Sequence, residues 1–127
     1  MPGVRSYPDY RKHLGGLIGK LGKELPGPMG GFGQLHRQAT AEGALPARVK
    51  ELIALAVAVA VHCEGCIAFH VHDALRAGAS RQEVLEAVGV AVLMGGGPGA
   101  VYGAQALEAL DQFQAAAAAG QRGGSAR

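Results

Sequence analysis

The chain has 127 residues, of which 49% are apolar and 17% charged, with a net charge of +2. That length gives one domain with a sizeable core, and the composition excludes a disordered tail protein. The basic residues are scattered rather than gathered into a stripe or arm, which speaks against a nucleic-acid partner.

The longest unbroken apolar run, Leu52 to Val61, falls far short of the roughly 20 residues that span a bilayer. Residues Met1 to Arg5 open no apolar leader, so no secretory signal is expected. Two cysteines in such a chain point to redox or metal chemistry rather than a disulfide scaffold. The expectation is a soluble, cytoplasmic protein that does not bind membranes. Alanine fills 24 positions and glycine 21, while aromatics are only 5%. Small side chains fill a core only where helix backbones approach closely. Low charge also leaves little polar surface to cover a monomer, which predicts a homo-oligomer.

From Tyr7 to Leu25 apolar residues recur at helical spacing (Leu14, Leu17, Ile18, Leu21, Leu25). Pro26-Gly27-Pro28 reads as a break, after which a second helix carries Phe32, Leu35 and Ala39. Gly43-Ala44-Leu45-Pro46 reads as a stop followed by a start. Ala54 to Val61 alternates alanine with larger apolar residues, which is a strand period. Both faces would then be apolar, the segment is about twice a typical strand in length, and alanine favours helices. Residues 47–62 are therefore predicted to be a buried helix. A helix after Cys63 closes at Gly78, which suits a left-handed cap. Ser80-Arg81-Gln82-Glu83 is a capping box that opens another helix. Gly95 to Gly99 interrupts it as a tight turn, since the Lys-Ser/Thr of a phosphate loop is missing. A last helix spans about 100–119, and 120–127 is predicted to be a flexible tail. No strand survives, so the fold class is all-α, a single domain over 1–127 with its core at about 32–113.

The chemistry concentrates in Cys63-Glu64-Gly65-Cys66 and the helical turn after it. C-x-x-C spacing at a helix start lets two sulfurs meet on one turn, where the helix N-terminus stabilises a thiolate. The pair is expected to form a reversible intramolecular disulfide. His70 lies four residues after Cys66, on the same helix face and about 6 Å along the axis, where an imidazole can act as base to a thiol. His62 and His72 lie off that face and read as surface or packing residues. If the helices on either side of Val61–Cys63 form an antiparallel hairpin, Glu51 lies roughly 15 Å from the turn and His70 roughly 11 Å at 1.5 Å per residue. A carboxylate at that level would orient His70 and raise its basicity, as the third member of a nucleophile, base and orienter set.

Glu51, Cys63-x-x-Cys66 and His70, with Gly43-Ala44-Leu45-Pro46, Lys50 to Ala56 and Gly78-Ala79-Ser80 around them, resemble the core signature of the alkylhydroperoxidase D and carboxymuconolactone decarboxylase superfamily. The resemblance covers roughly Phe32 to Phe113. It implies an all-helical domain assembled as a trimer or hexamer. It also implies a thiol peroxidase that needs no cofactor, in which Cys66 attacks a small hydroperoxide and Cys63 resolves the sulfenic acid as a disulfide. Glu51 and His70 would relay protons, and a dithiol partner such as a lipoyl-domain protein would restore the thiols. The decarboxylase branch lacks the cysteine pair, so Cys63 and Cys66 favour the redox branch. The well-described peroxidases carry a histidine immediately before the second cysteine, and here that position is Gly65.

Other functions could use the same residues. A decarboxylase or a disulfide oxidoreductase would share the scaffold. Cys63, Cys66 and His70 are suitable zinc ligands, but a closed structural site wants four and no fourth stands out. A helical assembly module with a vestigial cysteine pair would fold and turn nothing over.

Overall fold

A computed structural model describes residues 4–125, with side chains to Gln121. Five helices succeed one another: α1 (Tyr7–Glu24), α2 (Pro26–Thr40), α3 (Ala47–Ala60), α4 (Glu64–Arg76) and α5 (Arg81–Ser125). The described residues contain no strand. The all-α expectation holds.

α3 and α4 form the antiparallel hairpin at the centre. The alternating segment is helical, and its buried residues Glu51, Leu55, Ala58 and Val59 follow a helical stripe. Ile53, Val57 and Val61 lie on the opposite face and are about half exposed or more. One apolar face of α3 thus meets the core and the other meets solvent. α4 buries Ile67, Ala68, Val71 and Ala74 against that core.

Both ends of α4 are set by the same turn. After α4, Gly78 takes a left-handed φ of 99°. The Gly78 N–H donates to Leu75 O and the Ala79 N–H to Ala74 O. These two bonds satisfy carbonyls that the helix end would leave bare. After α3, His62 occupies the equivalent position with φ 65°. Its N–H donates to Val59 O and the Cys63 N–H to Ala58 O. A left-handed side-chain residue costs about 1–2 kcal/mol. Stacking of the His62 ring on Tyr102, centroids 4.8 Å apart and planes within 10°, offsets part of that cost. His62 is therefore a structural residue, consistent with its position off the cysteine face. His72 is another, bonded to Asp73 and edge-on to Phe113.

α5 is not a single rod. The Ser80 N–H donates to Glu83 Oε1 and the Glu83 N–H to Ser80 Oγ, so the predicted capping box forms. The Ser80 N–H, with the Arg48 guanidinium, holds the Glu83 carboxyl below its ordinary range. At Gly96 the backbone leaves the helix (φ 66°, ψ −146°). The chain then doubles back: Arg81 bonds Asp111 and Gln114, and a Cβ at Gly99 would lie 3.2 Å from the Ala91 carbonyl oxygen. By length and composition the stretch from Arg81 to Gln121 is long and apolar enough to cross a bilayer. Its fold-back at Gly96 makes it two antiparallel arms, 81–95 and 97–125, packed on α3 and α4.

Two expectations change. Pro26 starts α2 rather than merely breaking the chain, with only Leu25 between it and α1. Proline suits a first helical position because its missing N–H would be unpaired there anyway. The last helix, predicted to end near 119, runs on as far as Ser125, because the alanine run 115–119 carries the helix onward. Residues 126–127 lie outside the described residues.

α1 is fastened at its first turn. Ser6 caps it by accepting from the Asp9 N–H. Tyr7 is buried, donates its N–H to Gln112 and its hydroxyl to Glu64. Burial, and then the neighbouring Glu64 carboxylate, push the phenol well above its ordinary range. Arg5 pairs with Glu64 at 2.6 Å and covers the Tyr10 ring. α1 is thereby docked on the first residue of α4, beside the cysteines.

Nothing lies within 4 Å of a Cβ built on Gly78, so a side chain there pays only for its backbone conformation. Gly78→Ala is expected to lower unfolding free energy by about 1–2 kcal/mol in urea titrations. An unchanged midpoint would contradict the left-handed assignment.

Candidate active site

Cys63 is the N-cap residue of α4, and its Sγ accepts from the Cys66 N–H at 3.2 Å. The two cysteines are joined as a disulfide, with Cα atoms 5.2 Å apart. One turn further, His70 meets Glu51 directly: Nδ1 lies 2.7 Å from Glu51 Oε2. A carboxylate can only accept, so Nδ1–H donates and Nε2 is the nitrogen left to take a proton. Glu51 is 6% exposed and is the single buried charged residue among those described. A buried carboxylate needs a partner, and His70 supplies it. The four residues singled out in the sequence thus stand together, with the carboxylate and imidazole in contact and no gap for a water.

Cys63, Cys66 and His70 form part of one wall of a cavity of about 590 Å³, with Glu51 behind His70. α4 presents Cys66, Phe69, His70 and Asp73 to it, at the 3-4 spacing of a helix face. α2 presents Met29, Phe32, Gly33, His36 and Arg37 in the same spacing, and α1 adds Leu14 and Ile18. The His36 and His70 rings face each other across it with centroids 6.5 Å apart. Sequence reasoning missed His36, Arg37 and Asp73. The i, i+3, i+4, i+7 pattern from Met29 through His36 was the available signal, obscured by the glycines between them.

The structure also accounts for Gly65. A Cβ there would lie 2.8 Å from Leu14 Cδ1 and 3.7 Å from the Tyr10 hydroxyl. A histidine at this position would project into space that α1 occupies.

The sulfurs of Cys63 and Cys66 bond each other in this state, so the zinc set considered from the sequence is not assembled. Glu51, His70 and Asp73 do bring possible ligand atoms within 4.8 Å of one another. Glu51 is already engaged by His70, and Asp73 is hydrogen-bonded to His72 Nδ1 at 2.8 Å.

Residues 26–109 match the model of the carboxymuconolactone decarboxylase family. The chain belongs to that family. Members of the family are enzymes, decarboxylases or peroxidases. An uncharacterised protein of Cupriavidus necator is 44% identical over 98 residues, covering 77% of this chain and 87% of the relative. A second, known as uncharacterised protein 4 in the cox locus of Paracoccus denitrificans, is 40% identical over 67% of this chain and 77% of its own length. Among solved structures, the apo form of a carboxymuconolactone decarboxylase family protein from Legionella pneumophila is similar, with a TM-score of 0.81 and 46% identity. It is matched over 84% of this chain and 96% of its own.

Packing of α1 over Gly65 has a measurable consequence. Gly65→His is expected to destabilise the fold by about 1–3 kcal/mol, the usual cost of overpacking. Leu14→Ala added to it should recover part of the loss, read as a positive coupling in a double-mutant melting cycle. Additive losses would mean that Leu14 does not occupy that space.

Proposed function

We propose that the protein is a cysteine-based peroxidase that reduces organic hydroperoxides through a Cys63/Cys66 dithiol–disulfide cycle. The observation that carries this reading is the alignment of the cysteine pair and His70 along one cavity wall, with buried Glu51 bonded to His70 from behind. In the reduced enzyme, His70 Nε2 takes the Cys66 proton, and the Glu51 carboxylate favours the imidazolium that results. Cys66 lies in the first turn of α4, where the helix dipole favours a thiolate. Cys66 Sγ attacks the terminal peroxide oxygen, the O–O bond breaks, and a sulfenic acid and an alcohol result. Cys63, at the cap and outside the helix proper, then attacks that sulfur, forming the disulfide and releasing water.

Leu14, Ile18, Phe32 and Phe69 line the cavity, which favours a hydroperoxide with an apolar tail over hydrogen peroxide. Regeneration requires a dithiol, and a lipoyl-domain protein is the partner that the family resemblance implies. The enzyme works in the cytoplasm as a trimer or hexamer. Exposed Ile53 and Val57 on α3, with Leu93, Met94 and Val101 on α5, support self-association. Light scattering should give three or six copies, and a monomer at micromolar concentration would contradict this assembly.

Stopped-flow oxidation of the reduced chain tests the cycle. Cys66→Ser should abolish reaction with hydroperoxide, whereas Cys63→Ser should keep the first step and accumulate a sulfenic acid on Cys66. Glu51→Gln, and His70→Asn whose amide can still meet Glu51, should each slow that step by about 10²–10⁴-fold. Sulfenic acid on Cys63 in the Cys66→Ser chain at full rate would reverse the assignment. Wild-type rates in both relay variants would remove the relay.

A further inference from the structure

The attack on a peroxide is an in-line displacement: sulfur approaches one oxygen along the O–O axis and the other oxygen departs on the far side. Cys66 and His70 share one face of α4 and therefore stand together behind the attacked oxygen. An alkoxide leaving in the opposite direction moves toward α2, and it is too basic to depart without a proton. A donor is needed on that wall. Of the groups there, Arg37 does not give up its proton in proteins. Asp73 belongs to α4 and is engaged with His72. Tyr10 approaches Gly65 but is not part of the cavity lining.

His36 remains. It is on α2, lines the cavity with both cysteines, and faces His70 at 6.5 Å between ring centroids. That separation is too long for a hydrogen bond between the rings and leaves room for an oxygen atom between them. Histidine is also the side chain that ordinarily exchanges a proton near neutral pH.

We propose that His36 is a catalytic residue, the acid that protonates the departing oxygen of the hydroperoxide. The Cys66 S–O bond forms and the O–O bond breaks. Sulfur is oxidised by two electrons, and the O–O electron pair leaves with the alkyl-bearing oxygen. That oxygen takes the proton of the His36 imidazolium, giving the alcohol, and His36 is reprotonated from solvent. His70 and His36 thus divide the work, one receiving the thiol proton and the other supplying the leaving group.

The proposal rests on the peroxidase reading, and the leaving group separates the two. tert-Butyl hydroperoxide expels a strongly basic alkoxide, whereas peracetic acid expels acetate, which needs no proton. Reduced wild-type chain and His36→Gln would be compared with both oxidants by stopped flow. The variant should react about 10²-fold or more slowly with tert-butyl hydroperoxide, the scale of acid catalysis, and within a few-fold of wild type with peracetic acid. An equal loss with both oxidants would mean that His36 only shapes the cavity, and no loss with either would mean that it is idle. Both results overturn the proposal while leaving the peroxidase intact. A wild-type chain whose thiols resist both oxidants would overturn the two readings together. Coincident melting curves establish that the variant folds, and His36→Asn serves in its place if it does not.

Discussion

A single buried carboxylate organises this molecule. Glu51 sits on an otherwise apolar face of α3, and its charge is tolerable there because His70 meets it at 2.7 Å. Removing one partner of such a pair leaves an uncompensated buried charge and ordinarily costs about 3–5 kcal/mol. The contact therefore pins the register of the α3–α4 hairpin and fixes which imidazole nitrogen is free. Fold stability and site geometry rest on the same bond. The Arg48–Glu83 pair, one turn before Glu51 on α3, is more exposed and worth much less, so it assists the alignment without dictating it.

The remaining elements build a chamber around that pair. The turn at His62 sets where α4 begins and hence where Cys63 and Cys66 stand. Arg5, Tyr7 and Tyr10 hold α1 against Glu64, so Leu14 falls over Gly65 and closes one side. α2 closes the other side without burying any residue of its own. It contributes instead an apolar roof and His36. α2 thus faces the cavity with five residues at helical spacing while adding little to the buried core.

How much of this is legible in the sequence depends on the range of the interaction. The C-x-x-C spacing, the Cys66–His70 step of one turn, the Ser80–Glu83 capping box and the Gly78 cap are all local and can be read directly. Glu51 is reachable because similar distances from a hairpin turn convert into proximity at about 1.5 Å per residue. His62 gives no sign of a left-handed backbone, since its stacking on Tyr102 joins residues 40 apart in the chain. The Gly65 packing and the role of α2 depend on how α1 and α2 lie across α4, which no local pattern encodes. Pro26 reads as a break because a proline that starts a helix and one that interrupts a helix look alike until the flanking backbone is known.

The proposed reaction converts a hydroperoxide to an alcohol at the expense of the two thiols. Single turnover of the fully reduced chain with limiting tert-butyl hydroperoxide tests it most directly, with thiols and alcohol quantified in the same quenched samples. One alcohol should form and two thiols should be lost per hydroperoxide consumed, with the intramolecular Cys63–Cys66 disulfide as the sole protein product. Thiols that persist in excess hydroperoxide, or disulfides found only between chains, would contradict it.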